Sequence, residues 1–339
     1  LSRNAWFAAL LMLSPGVGAQ TPPPPLDEAL DAPARAHIVG EYARRLTGQH
    51  VDAARAKQAA DELRRRLAHG AYDELRTARS LAAQVTRDVQ AIIPDRHTYL
   101  EYVPYDLSDE RQRPAAPPAP ADNYGLRKYQ QLGANIGYLQ ITRFGPLHRA
   151  SLEAAGRFMA QAADDDALII DLREAGGDGE AMAALLSSYL LDDKRSYVFK
   201  DKRLHLHDQV DRDGRALQEY WTDDDLRGAR FGGDKPLFVL ISERTSGAAE
   251  AFAYDLQQYQ GRAVVVGAPS AGDAVVGASQ PLSRQLRGVI AVTRAVNTSS
   301  RANWQTVGVQ PDRMVRPADA LDSATALARQ AIHTHALTR

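Results

Sequence analysis

Ala167-Leu168-Ile169-Ile170-Asp171-Leu172-Arg173-Glu174-Ala175-Gly176-Gly177-Asp178-Gly179 is the stretch that decides how this chain is read. Four apolar residues run unbroken into Asp171, the pattern of a strand buried on both faces, as in a parallel sheet. Paired glycines end it, and a helical pattern follows over 181–191. Glycine admits φ > 0 and lets the backbone come close to a bound group. Backbone N–H groups at such a bend can point at a developing oxyanion. An ordinary strand-to-helix turn carries the same local signs.

The alternation continues outward. Short apolar runs at 136–141 (IGYLQI), 236–242 (PLFVLIS), 263–267 (AVVVG) and 289–293 are strand candidates. Segments 147–163, 181–191 and 248–260 carry helical patterning. Strands alternating with helices imply an α/β fold, a mixed or parallel sheet covered by helices. After 293 an irregular tail is expected. Upstream, Ile38, Tyr42 and Leu46 form one helical stripe, Ala59, Leu63 and Leu67 a second, and Leu81, Val85 and Val89 a third. These three helices predict a small all-α domain over 34–105. Pro114, Pro117, Pro118 and Pro120 mark a Pro/Ala-rich linker over 106–124, and the α/β core is expected over 125–330.

The first residues read as an export leader. Arg3 precedes an apolar run over 5–13, Pro15 and Gly16 break it, and Val17-Gly18-Ala19 offers small residues for cleavage. The expectation is a signal peptide over 1–19, a linker over 20–33, and a mature protein in the periplasm or outside the cell. No later stretch has the roughly 18 apolar residues of a membrane helix. The 339-residue chain contains no cysteine, which excludes disulfides, thiolate catalysis and cysteine metal sites. A formal net charge of -1 gives no electrostatic reason for a nucleic-acid partner.

A second segment carries chemistry: Ser242-Glu243-Arg244-Thr245-Ser246-Gly247-Ala248-Ala249-Glu250 follows a strand and opens a helix. A serine there sits in the positive potential of the helix N-terminus, and small neighbours leave room for a carbonyl. Alternatively, Thr245 or Ser246 is an N-cap.

The order of these segments, followed by Gly261-Arg262-Ala263-Val264-Val265-Val266-Gly267 and by Asn303-Trp304-Gln305-Thr306-Val307-Gly308-Val309-Gln310-Pro311-Asp312, resembles the C-terminal processing (tail-specific) serine protease family. The ending, with no obvious PDZ segment, resembles the family's interphotoreceptor-retinoid-binding-protein-like branch. His69-Gly70-Ala71-Tyr72-Asp73 and Pro94-Asp95-Arg96-His97 resemble landmarks of that branch's helical domain. The resemblance covers about residues 35–317. It implies a crotonase/ClpP-like core, a serine nucleophile at the helix-opening turn, and an oxyanion hole built from Gly176 or Gly177 and Gly247. It implies a peptide or protein substrate and no cofactor.

This chain departs from the family pattern at three places. The family's serine stands three residues before the glutamate matching Glu250, where this chain has Gly247, and Ser246 lies one earlier. Asp273 stands where tail-specific proteases carry a lysine base, and Val275 where related sequences show histidine. Gln305 stands where the branch shows glutamate. Two functions follow. One is a serine peptidase acting on exported proteins or peptides, with Ser246 as nucleophile, Asp273 or another group as base and Gln305 as an orienting amide. The other is a protease-derived protein that holds peptide tails or apolar ligands without cutting them. A crotonase-like acyl transferase sits poorly with an export leader, because coenzyme A thioesters are intracellular.

Other ionisable groups have plainer readings. His205, His207 and Asp208 supply no third spaced histidine or cysteine ligand, so a polar strand is expected rather than a metal site. Asp164-Asp165-Asp166 and Asp223-Asp224-Asp225 read as solvated loops, and His97 as a structural hydrogen-bonding residue. Tyr220, Trp221 and Trp304 are either groove-lining or core.

Overall fold

A computed structural model describes residues 27–109, 111, 122–191 and 203–337. The expected leader and most of the Pro/Ala linker lie outside the described residues. Three helices open the described chain: α1 (Ala32–Gln49), α2 (Ala53–Ala68) and α3 (Ala78–Gln90). Each starts on a side-chain cap: Asp31 accepts from Ala34 N–H, Asp52 from Ala54 and Arg55 N–H, and Thr77 from Ser80 N–H. The stripes legible in the sequence face inward, with Tyr42, Leu46, Leu63, Leu81, Val85 and Val89 fully buried.

Beyond them lie two sheets. The first is mostly parallel, in the order β11 (Arg313–Met314), β8 (Val264–Gly267), β7 (Leu237–Ile241), β4 (Ala167–Asp171), β3 (Ile136–Ile141) and β2 (Leu126–Gln131). Only β2 runs antiparallel to its neighbour. Helices α4 (Arg149–Ala160), α5 (Glu180–Ser188) and α6 (Ala248–Gln258) contribute to the main core. The opposite face of the sheet is covered by α7 (Ala320–Leu337). Ala320, Ala324 and Ala328 recur at helical spacing, and their small side chains let α7 lie close on Ile169, Phe238 and Leu240. Where the sequence suggested an irregular tail after residue 293, the strand begun upstream runs on to Asn297, and β11 and this helix follow.

The second sheet is antiparallel, and the sequence reading reached only two pieces of it, the strand over 289–293 and the polar strand around His205 and His207. It contains β1 (Tyr99–Tyr102), β5 (His205–Val210), β6 (Ala216–Trp221), β9 (Val275–Pro281) and the long β10 (Leu286–Asn297). The helical unit docks on it: Leu286 and Ile290 of β10 share a core with α1–α3, and Tyr42 donates to Val289 O at 3.2 Å. The helical region is therefore joined to the α/β core through β1 and β10. Among the described residues, no helix is long and apolar enough to cross a membrane.

Candidate active site

β4 and β7 are adjacent parallel strands, with Asp171 opposite Leu240. Their C-terminal ends therefore release two neighbouring loops, the glycine bend after β4 and the serine turn after β7. In open α/β sheets this edge is where ligands bind. The two loops are stitched together. Ser246 N–H donates to Ala175 O at 3.0 Å and Ala248 N–H to Gly177 O at 2.8 Å. Ser242 Oγ donates to Arg173 O at 2.6 Å, and the fully buried Thr245 Oγ1 to Leu172 O at 2.8 Å. Arg244 and Glu174 pair at the surface.

These bonds decide the capping question. Neither Thr245 nor Ser246 caps α6; the N-cap is Gly247, whose N–H is taken by the Glu250 carboxylate at 3.0 Å. That bond engages one of the donors expected for the oxyanion hole. Gly176 N–H makes a long bond of 3.4 Å to Thr142 O, and Gly177 N–H has no protein acceptor among the described residues. Gly177 has φ +109°, and a Cβ there would lie 2.2 Å from Phe144 O. A side chain on Gly176 would lie 2.9 Å from Ser246 Oγ, so the bare glycine leaves that space to the half-buried serine. Gly247 has φ 58° and ψ -127°, and a Cβ on it would meet Gly177 O at 2.4 Å. The residue three before Glu250 thus sits in a backbone conformation that favours glycine.

Glu250 organises the third side of the site. Its carboxylate is buried and accepts from Ser270 Oγ, from Gly272 N–H at 2.7 Å and from Asp273 N–H at 2.9 Å, besides Gly247. Burial pushes its pKa above the ordinary glutamate range, against the pull of these donors. Ala271 N–H donates to Thr245 O at 3.0 Å. Asp273 is therefore held beside the serine turn, although 27 positions separate it from Ser246.

The sequence reading treated His97 as structural and missed what it faces. The residue comes from the stretch between α3 and β1, and its backbone lies against Gly277 of β9. Its Nε2 pairs with the Asp273 carboxylate at 3.0 Å to Oδ1 and 3.2 Å to Oδ2. The hydrogen bond to Asp273 raises the imidazole pKa above its usual value, against a lowering by burial. The only available signal was the Asp95-Arg96-His97 landmark itself. Gln305 points at the same segment: its Oε1 accepts from Ala274 N–H at 2.7 Å, while Trp304 Nε1 donates to Asp273 O at 3.3 Å. Trp304 is core, 1% exposed. Gln305 thus holds the backbone beside Asp273.

His205 and His207 go to different carboxylates. His205 pairs with Asp208 and stacks on Trp221, whereas His207 is fully buried against Asp255. Among the described residues, no group of three or more His, Cys, Asp or Glu side chains is arranged to hold a metal ion.

Comparison with known proteins bears on the family and the fold. Residues 135–315, just over half of the chain, match the profile of Peptidase family S41. The Haemophilus influenzae tail-specific protease is 31% identical over 120 residues, which are 35% of this chain; they span only 15% of the relative's own length. Among solved structures, the photosystem II D1 C-terminal processing protease superposes with a TM-score of 0.56 at 16% identity, over 84% of this chain and 93% of its own. A lipoprotein from Streptococcus agalactiae superposes with a TM-score of 0.56 at 13% identity, over 90% of this chain and 99% of its own. With bend, serine turn and sheet order as described, the chain belongs to peptidase family S41.

Proposed function

We propose that this chain is a serine-type peptidase that hydrolyses peptide bonds through Ser246. The observation that carries the reading is one junction. The serine turn is bonded on one side to the twin-glycine bend and on the other, through Ala271 and Glu250, to the segment bearing the Asp273–His97 pair.

In this reading Ser246 Oγ attacks the scissile carbonyl. With His97 Nε2–H given to Asp273, the proton from Ser246 passes to Nδ1 of the neutral ring, and Asp273 orients the ring and stabilises the imidazolium. The Gly177 N–H faces the carbonyl oxygen as it becomes an oxyanion, with Gly176 a second, weaker donor. The imidazolium then protonates the leaving amine, and water releases the acyl group by the reverse sequence. Gln305 acts at one remove, by fixing the backbone of Ala274. The substrates are exported proteins or peptides, and the protein works in the periplasm or outside the cell. The leader-like start of the chain supports that placement. The retinoid-binding-protein-like branch rests on the motifs that suggested it.

A second reading is favoured by one observation. Gly247, not a serine, stands three residues before Glu250, and among the described residues no side chain accepts a hydrogen bond from Ser246 Oγ. On that reading the cleft holds a peptide without cutting it. Cleavage of unstructured protein substrates by wild type, Ser246→Ala and His97→Ala decides between them. The peptidase reading expects both variants to lose activity by at least about 100-fold. Cleavage that survives Ser246→Ala removes the assignment, and a wild type that binds substrate without cutting supports the second reading.

A further inference from the structure

A buried charge cluster lies behind the site and takes no part in the chemistry above. His207 on β5 is fully buried. Its Nδ1 pairs with Asp255 of α6 at 2.7 Å, and its Nε2 lies 3.8 Å from Oε2 of Glu180, with no hydrogen-bond partner among the described residues. Glu180 is the first residue of α5. Around this core, Gln209 Nε2 donates to Glu180 Oε1 at 2.7 Å, and Thr293 Oγ1 donates to Gln209 Oε1 at 2.8 Å. Asn297 Nδ2 donates to Asp255 Oδ1 at 2.8 Å. Tyr220 of β6 stacks on the imidazole at 4.7 Å, and burial, with the nearby Glu180, raises the pKa of its hydroxyl.

Two carboxylates are thus sunk in the interior. His207 is the only basic side chain paired with either among the described residues. Buried carboxylates without a compensating cation are strongly disfavoured, so the ring is held as the imidazolium. The geometry gives that charge a task. α5 begins directly behind the glycine bend, and α6 directly behind the serine turn. We propose that His207 is a positioning residue for the reaction: its imidazolium ties Glu180 of α5 to Asp255 of α6 and so fixes the spacing between the bend and Ser246. This rests on the peptidase reading for its functional consequence, but the clamp itself does not need turnover to be observed.

The test follows hydrogen exchange of the full chain at the seam, in peptides covering the bend and the serine turn, for wild type, His207→Gln and the double variant His207→Gln/Glu180→Gln. Losing the charged link is expected to speed seam exchange about 10-fold in His207→Gln. Removing the stranded Glu180 charge should restore part of the protection. Nitrogen-15 spectra of wild type should show a doubly protonated His207 ring at about pH 8, above the ordinary histidine range. With a cleavable substrate, kcat falls in His207→Gln while KM stays within about two-fold. A neutral ring at that pH, unchanged seam exchange in a folded His207→Gln, or a double variant no better protected than the single overturns the proposal. Should His207→Gln not fold, Glu180→Gln alone keeps the Asp255 pair and is expected to loosen the bend but not the serine turn; equal protection at both sites overturns it. A wild type with the exchange pattern but no cleavage refutes the peptidase reading and leaves the clamp standing.

Discussion

Thr245→Val is the sharpest probe of how the serine turn is held. Valine keeps the shape of threonine, so the substitution leaves no cavity; it removes only a hydroxyl. That hydroxyl donates to Leu172 O at 2.8 Å and accepts from Ser242 N–H at 3.0 Å, in a fully buried position. Leu172 O keeps a second donor, Ala175 N–H at 2.9 Å, so it loses one bond of two. Ser242 N–H has no other acceptor among the described residues and is left orphaned. An orphaned buried donor costs about 1–3 kcal/mol and a lost neutral hydrogen bond about 1 kcal/mol, which together predict a loss of about 2–4 kcal/mol. Thr245→Ser keeps the hydroxyl and gives up one methyl, for about 1 kcal/mol. Urea denaturation of the three proteins measures the difference directly. The expected order of stability is wild type, then Ser, then Val, with Val also losing peptidase activity as the serine turn drifts from the bend. A Val variant as stable as wild type, with Ser the weaker of the two, would show that packing rather than the hydroxyl bridge holds the turn.

Two further outcomes concern charge. Asp273→Asn removes the group that raises the His97 pKa, so the ring becomes neutral at lower pH. The acid limb of the pH–rate profile should move to lower pH while the plateau rate falls; an unmoved limb would separate His97 from the rate. The His207 pKa is pushed up to about 10 by Asp255 and Glu180, although burial alone would lower it. A group raised in the folded state stabilises fully below its unfolded value and loses that contribution as pH rises through the folded one. Folding stability should therefore decline by roughly 1 kcal/mol per pH unit from about pH 6.5 toward about 10, and His207→Gln should flatten that slope.

The legible part of the fold was the part built on long-range apolar regularity. β3, β4, β7 and β8 are buried runs of Ile, Leu and Val, whose signal survives without knowledge of their partners. The rest of the second sheet was opaque for the opposite reason. β9 reads Val-Val-Gly-Ala-Ser-Gln-Pro and β6 is mostly exposed, so neither shows alternation. Their existence depends on pairing with β10 and β5, respectively. In the site, Ser246 and the twin glycines could be brought together from sequence, because each ends a recognisable strand. His97 could not, since it meets Asp273 across 176 positions and belongs by sequence to the helical region. Glu250 served as a landmark in the sequence. Its task as acceptor for the Gly247, Gly272 and Asp273 amides appears only when the serine turn and the segment after β8 converge on α6.

Reaction with a fluorophosphonate, read by intact mass and peptide mapping, tests the nucleophile most directly. One adduct per chain on Ser246, abolished by Ser246→Ala and slowed by His97→Ala, is the predicted result. A chain that stays unmodified under conditions that label a serine protease control, or one modified at another residue, contradicts it.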